Sequence, residues 1–292
     1  MQPQNSKTDS PWRLIDIINW GETYFREKYF DNPRTEIELL LQHLIGCKKI
    51  DLYLQFEKIV KPKELTTLRS WIKRRINREP IQYITNSSEF YGRKFIVNQN
   101  VLIPRPETEK LIDVSVKILS KKKNPTIIDI GTGSGCIGIT MALEIPSSSI
   151  IAIDISDSAI LTAKKNADMY NLNNIEFLKL DILTQEINNI ADMLISNPPY
   201  ISKEEIPSLM KDVKDFEPMI ALTDNSDGLD FYRKFSNIIP HVVKKNGTAI
   251  LEVGRGDHPD RVKEIFSKSG YNNIDMVKDL NKDKRVFIIN NS

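Results

Sequence analysis

The stretch "IIDIGTGSGCIGI", Ile127 to Ile139, decides how the chain is read. A β-branched run ends at Asp129-Ile130, and three glycines then alternate with small polar residues: Gly131, Thr132, Gly133, Ser134, Gly135. Glycines after a strand permit a sharp turn and close approach of the backbone to a ligand. A helix starting behind them aims its amide donors and positive dipole end at the same place. The dinucleotide fingerprint would need its third glycine at position 136, which is Cys136, so the pattern is G-x-G-x-G. The phosphate-binding loop pattern fails too, because no Gly-Lys-Ser/Thr follows. A glycine turn that serves strand-to-helix packing alone is the plainer reading of the same residues.

Working outward, the next strand ends "IAIDIS" and puts Asp154 at its carboxyl end. A carboxylate there accepts hydrogen bonds from both hydroxyls of a ribose. A tight loop, a ribose carboxylate and no phosphate lysine describe a site for a nucleoside without a polyphosphate, which S-adenosylmethionine fits. Candidate strands "TIIDI", "SIIAIDI", "IEFLKL", "ADMLIS" and "TAILEV" alternate with helices, the clearest being "SDSAILTAKKNADMY" with Ser156 as its cap. Such alternation predicts a parallel sheet covered on both faces. "YNNIDMVKD" and "KRVFII" close the chain as a hairpin, giving an α/β fold with a seven-stranded, mostly parallel sheet and an antiparallel edge. Asp181 and Ile182 follow the third strand, where they either border an adenine ring or cap a turn.

The fourth strand leads into Asn197-Pro198-Pro199-Tyr200, which therefore emerges at the same carboxyl-end crevice. Two successive prolines remove two backbone donors and stiffen the exit. The Pro198 carbonyl then points in a fixed direction beside the Asn197 amide oxygen, and two acceptors aimed at one point suit a planar NH2 group. Tyr200 adds a flat face. Holding both hydrogens of an amide or exocyclic nitrogen favours its pyramidal, nucleophilic form, and orientation toward a methyl donor supplies several kcal/mol of the barrier.

Residues 1–84 read as helices only, including "PWRLIDIINWGETYFREK", "TEIELLLQHLIG" with Thr35 as N-cap and Glu38 closing a capping box, and "KELTTLRSWIKRRI". They contain no nucleophile, metal cluster or glycine loop and read as a docking or packing module. Residues 85–105 switch to a period near two around Gly92 and read as a hairpin linker; residues 106–292 form the catalytic domain, its first helix starting behind Pro106.

Composition is that of a folded protein, with 40% hydrophobic and 27% charged residues, and no apolar run approaches a membrane span. Cys47 and Cys136 are too few for a disulfide framework, and His43, His241 and His258 are scattered, so no metal site is expected. The N-terminal "MQPQNSKTDS" lacks the features of a secretion signal, which makes the cytoplasm the expected location. The net charge is +2, with the N-terminal third basic and the remainder acidic. "KRRINR", Lys73 to Arg78, is either a solvated helix face or a contact for an acidic partner.

Taken together, "EPIQYI" (79–84), "VLIPRPETE" (101–109), "DIGTGSG" (129–135), "SNPPYI" (196–201), "EPMIAL" (217–222), "DGLDFYR" (227–233) and "LEVG" (251–254) resemble the HemK/PrmC family of peptide chain release factor N5-glutamine methyltransferases. The resemblance implies a class I, Rossmann-like methyltransferase fold behind an N-terminal helical bundle. It implies that Gly131 to Gly135, Asp154, Asp181, Ile182 and Asn197 bind S-adenosylmethionine. It further implies that Asn197, Pro198, Pro199 and Tyr200, with Arg105, hold the glutamine of the Gly-Gly-Gln loop of class 1 release factors, Asn197, Pro198 and Tyr200 being catalytic. The expected protein is a monomer that binds no nucleic acid directly. Asn86, "TDNSDG" and "DLNKDKRVFIIN" stand where the family commonly has glycines. Competing readings are methylation of a ribosomal-protein glutamine, methylation of a nucleic-acid base, and a binding module without catalysis.

Overall fold

A computed structural model describes residues 11–279 and 281–291. The expectation drawn from "MQPQNSKTDS" lies outside the described residues. The chain divides into two compact units, the first ending at Thr85 and the second beginning at Asn86.

The first unit contains helices Leu14–Glu27, Pro33–Ile45, Lys49–Leu54, Pro62–Ile76 and Ile81–Thr85. Their apolar faces close over Ile17, Ile18, Phe25, Ile37, Leu40, Leu41 and Leu68. The first two helices approach so closely at Gly21 that a Cβ there would sit 2.4 Å from Ile37. Thr35 is not the N-cap. The helix begins two residues earlier at Pro33, behind Asn32, because proline suits the first helical position. Glu38 is buried and takes Arg34 at 2.9 Å, Lys49 at 3.0 Å and the Tyr53 hydroxyl at 2.5 Å, so it joins helices instead of closing a capping box. The arginines of the basic run are engaged internally, while Lys73 is exposed. Arg74 pairs with Glu79 at 2.6 Å, Arg75 with Glu36 at 2.7 Å, and Arg78 lies 4.0 Å over the Phe30 ring.

The second unit opens with a hairpin, β1 (Ser87–Phe90) and β2 (Arg93–Ile96). Phe90 pairs with Arg93, leaving Tyr91-Gly92 as a two-residue turn with positive φ at both positions, as the strand twist requires. Asn86 takes φ +52°, filling by its own tolerance of the left-handed region the place where glycine is common in the family.

The sheet consists of β3 (Thr126–Ile130), β4 (Ser149–Asp154), β5 (Ile175–Lys179), β6 (Ala191–Ser196), β7 (Val243–Glu252), β8 (Ile274–Lys278) and β9 (Lys284–Asn291), in the order β5-β4-β3-β6-β7-β9-β8. β7 begins five residues before the expected "TAILEV" run, and the β6–β7 register shifts between Ala191 and Met193. The terminal hairpin forms, but its antiparallel strand is not the edge: β9 pairs antiparallel with both β7 and β8. β9 is the more apolar of the two, burying Arg285, Val286, Phe287 and Ile289, so it takes the inner place and the half-exposed β8 the rim.

Helices Glu109–Leu119 and Cys136–Glu144 contribute Leu111, Ile112, Ile137, Ile139 and Met141 to one core. Helices Asp230–Val242 and His258–Lys268 contribute Tyr232, Phe235, Ile239, Val262 and Phe266 to the other. After β3 the chain winds one way through β4 and β5, then returns to place β6 on the opposite side of β3. That reversal opens a crevice at the carboxyl ends of β3 and β6, the usual ligand position in an open α/β sheet. No helix among the described residues is long and apolar enough to cross a membrane.

Candidate active site

The glycine loop leaves β3 at this crevice with φ of +73° at Gly131, +56° at Gly133 and +81° at Gly135. The three glycines do different work. A Cβ on Gly135 would lie 2.7 Å from Ile139 and 3.1 Å from Ala163, so this glycine permits helix packing. A Cβ on Gly131 would meet nothing nearer than the Asn197 carbonyl at 4.0 Å, and one on Gly133 nothing nearer than the Gly131 carbonyl at 3.9 Å. Gly131 and Gly133 thus border open space, a cradle that side chains would fill. Packing alone does not account for the loop.

Thr132 and Ser134 are buried within the turn. Thr132 donates to Asp129 Oδ2 at 2.6 Å, and the Gly138 amide donates to the same oxygen at 3.0 Å. Burial pushes the Asp129 carboxyl up to about 7, which keeps its other oxygen, itself without a partner, protonated at lower pH. The Ser134 carbonyl accepts from Asn166 Nδ2 at 2.8 Å. Asn166 also exchanges hydrogen bonds with both backbone groups of Ile96, which ties the loop to the hairpin. Asp154 ends β4 opposite the loop. Its Oδ2 accepts the Gly133 amide at 2.9 Å and its Oδ1 the Ser156 amide at 2.9 Å. Ser156 caps the next helix as expected, accepting from the Ala159 amide. Asp181 caps its own turn, taking the Leu183 amide and the Thr184 hydroxyl, while Ile182 is buried in the core beneath. The open cradle and the Asp154 carboxylate suit a nucleoside with an amino-acid tail.

Asn197 to Tyr200 enter from the neighbouring strand β6, whose last residue, Ser196, pairs with Ile130 at the end of β3. Among the described residues no donor reaches Asn197 Oδ1 or the Pro198 carbonyl, whereas Asn197 Nδ2 donates to Thr108 Oγ1 at 3.2 Å. Two acceptors are therefore available at one strand end. Pro198 is buried and Pro199 half-buried. The chain beyond is clamped. Ile201 bonds to the Leu222 carbonyl at 3.0 Å, and Gly228 lies against Tyr200 so tightly that a Cβ would sit 2.4 Å from the tyrosine carbonyl. Asp224 arranges the loop beneath by taking the amides of Ser226, Gly228 and Asp230. Asn225 assumes φ +60° there, doing the work of the missing glycines.

Tyr200 does not stand free as a flat platform. Its hydroxyl accepts from Arg285 at 3.2 Å, the Arg285 guanidinium lies 5.5 Å from the ring centroid, and the His258 ring meets it edge-on at 5.9 Å. His258 is neutral: its Nδ1 accepts the Gly254 amide, its Nε2 then donates to the Gly228 carbonyl, and burial lowers its pKa. Arg105 is held by the buried Glu217 at 2.5 Å, which also accepts the Ile103 amide and so anchors the "IPRPETE" segment.

Sequence reasoning missed Thr108, Asn166, Glu217, Glu252 and Arg285. All five lie inside stretches whose pattern was evident, Asn166 in "SDSAILTAKKNADMY" and Arg285 in "KRVFII", but nothing local indicates their partners.

This fold, with a glycine cradle, an acidic residue at the second strand's end and a rigid acceptor pair at the fourth, defines a class I S-adenosylmethionine-dependent methyltransferase. The chain matches the PrmC N-terminal domain over residues 16–85 and the methyltransferase small domain over residues 109–213. It is 34% identical over 283 residues to the release factor glutamine methyltransferase of Chlorobaculum tepidum, covering 93% of this chain and 95% of that one. Identity to the Thermodesulfovibrio yellowstonii protein of the same name is 36% over 283 residues, covering 96% and 97%. A crystal structure of a methyltransferase from Pyrococcus furiosus shares the fold, with a TM-score of 0.51 at 15% identity over 77% of this chain and 98% of that one. The chain belongs to the release factor glutamine methyltransferase family.

Proposed function

We propose that the chain methylates the side-chain amide nitrogen, N5, of the glutamine in the Gly-Gly-Gln motif of class 1 peptide chain release factors. The observation that carries this reading is the pair of unpartnered acceptors, Asn197 Oδ1 and the Pro198 carbonyl, at the strand end facing the glycine cradle. S-adenosylmethionine, when bound, supplies a methyl group activated on a sulfonium sulfur. Gly131 to Gly135 and Asp154 hold that donor, with Ile182 and the Asp181 turn beside it. Asn197 and Pro198 accept the two amide hydrogens of the substrate, so the nitrogen lone pair is turned out of conjugation and toward the crevice. The nitrogen becomes cationic as it is alkylated and loses its proton readily afterwards, so no base has to act first. Tyr200, fixed by Arg285 and His258, walls the amide on one side, and Arg105 stands at the rim.

The helical unit through Thr85 serves to dock the release factor. Arg74, Arg75 and Arg78 of its basic run are engaged internally, so docking rests on its shape and remaining surface more than on that run. The protein acts in the cytoplasm as a monomer. Transfer of labelled methyl to purified release factor, ribosomal protein and DNA, run side by side, tests the assignment. Label confined to the release factor, and lost when its Gly-Gly-Gln glutamine is replaced by alanine, supports it; label on either of the other two and none on the release factor overturns it.

A further inference from the structure

An asparagine amide is nearly symmetric in shape, and its use as an acceptor depends on which end faces the substrate. If Asn197 were flipped, its NH2 would meet the substrate's NH2 and the two donors would repel. What sets the orientation lies behind the residue, in a chain of buried side chains. Asn197 Nδ2 contacts Thr108 Oγ1 at 3.2 Å, and Thr108 Oγ1 contacts Glu252 Oε2 at 2.7 Å. Arg285 Nη2 contacts Glu252 Oε1 at 2.7 Å and the Tyr200 hydroxyl at 3.2 Å. Glu252 is completely buried, Thr108 is 2% exposed and Arg285 5% exposed, so bulk water does not compete for these groups.

The charge on Glu252 sets the direction of the protons along the chain. Burial raises the Glu252 pKa, and the Arg285 guanidinium, which has donors only, opposes that rise and holds Glu252 as a carboxylate, which has acceptors only. The single Thr108 hydroxyl proton therefore goes to Glu252 Oε2. The threonine is left with lone pairs toward Asn197, and a lone pair accepts only from the NH2 end of the amide. Asn197 Oδ1 is thereby turned to the crevice. We propose that Thr108 is a positioning residue that relays the ionised state of Glu252 into the orientation of the Asn197 amide. The same carboxylate, through Arg285, steadies the Tyr200 hydroxyl at the other end of the tetrapeptide. Asn197 and Tyr200 are thus oriented from one buried charge, and Thr108 sits 89 residues from Asn197 in sequence.

This inference rests on the glutamine-amide reading of the site, and its test separates the two. In the full-length chain, Thr108→Val keeps the shape and removes the hydroxyl, while Thr108→Ser keeps the hydroxyl. With labelled S-adenosylmethionine and purified class 1 release factor, Thr108→Val is expected to lower kcat tenfold or more, with both KM values within twofold of the parent. Thr108→Ser is expected to recover kcat to within threefold. Adding Thr108→Val to Asn197→Ala is expected to change kcat by less than twofold, since the group it orients is gone. A Thr108→Val kcat within twofold of the parent overturns the inference, and so does a tenfold loss that persists in the Asn197→Ala background. A parent enzyme that leaves the release factor unlabelled sinks the substrate reading instead. In that case the Asn197 side-chain 15N–1H resonances still decide: they should move in Thr108→Val and return in Thr108→Ser, and unmoved resonances overturn the relay.

Discussion

The Gly133 amide donates to Asp154 Oδ2 at 2.9 Å, so the cradle and the carboxylate expected to hold the ribose are one rigid unit. Burial raises the Asp154 pKa, and the Ser156 and Gly133 amides oppose that rise. Asp154→Ala should weaken binding of S-adenosylmethionine and of its demethylated product by about 1–3 kcal/mol, the scale of lost hydrogen bonds to a charged group. Calorimetry on both ligands checks this, and unchanged affinity would remove Asp154 from the site.

The loop glycines should separate into two classes. Gly135→Ala forces a Cβ against Ile139 at positive φ and should cost on the order of 3 kcal/mol of stability. Gly131→Ala meets no such neighbour and should cost about 1 kcal/mol from its backbone conformation while lowering cofactor affinity tenfold or more. Urea melts paired with cofactor titrations distinguish the two. Equal losses of stability would show that packing is all the loop does.

Asp129 sets a pH dependence of stability. Its folded pKa lies near 7 because of burial, above the unfolded value of about 4, so the folded chain binds the extra proton between those limits. The contribution is full below pH 4 and is lost as pH rises through 7. Asp129→Asn mimics the protonated form and keeps an acceptor for Thr132 and Gly138, so its melting temperature should decline less than the parent's from pH 5 to pH 8. Parallel pH profiles for the two proteins would contradict this.

Much of the site is local and was legible as sequence. A glycine loop and a double proline each limit the backbone at consecutive positions, and strand alternation places both at one crevice. The remainder depends on contacts far apart in the chain, such as Thr108 with Glu252 across 144 residues, which no periodicity reports. Asp181 could be read as bordering an adenine ring or as a turn cap, and its carboxylate closes the turn. The terminal hairpin was evident, but the choice of which strand joins β7 depends on the relative burial of β8 and β9. Glu38 had the spacing of a capping box, yet a buried three-way interaction with Arg34, Lys49 and Tyr53 holds it instead.

Tyr200 and Asn197 should fail in different ways. Tyr200 gives a wall, so Tyr200→Ala should chiefly raise KM for the release factor, while Tyr200→Phe, which loses one hydrogen bond to Arg285, should be mild. Steady-state kinetics with the release factor as varied substrate resolve the two parameters. A Tyr200→Ala enzyme with normal KM and a collapsed kcat would assign the tyrosine to the chemical step.

The most direct measurement is the single-turnover rate of methyl transfer by Asn197→Ala, with both ligands saturating. The Asn197 Oδ1 acceptor strengthens its hold as the attacked nitrogen gains positive charge, so it stabilises the transition state more than the bound substrate. Its removal should slow transfer by roughly two orders of magnitude or more, as for other preorganised electrostatic groups, with release factor affinity changed little. A rate within threefold of the parent would contradict the two-acceptor account of the Asn197-Pro198 pair.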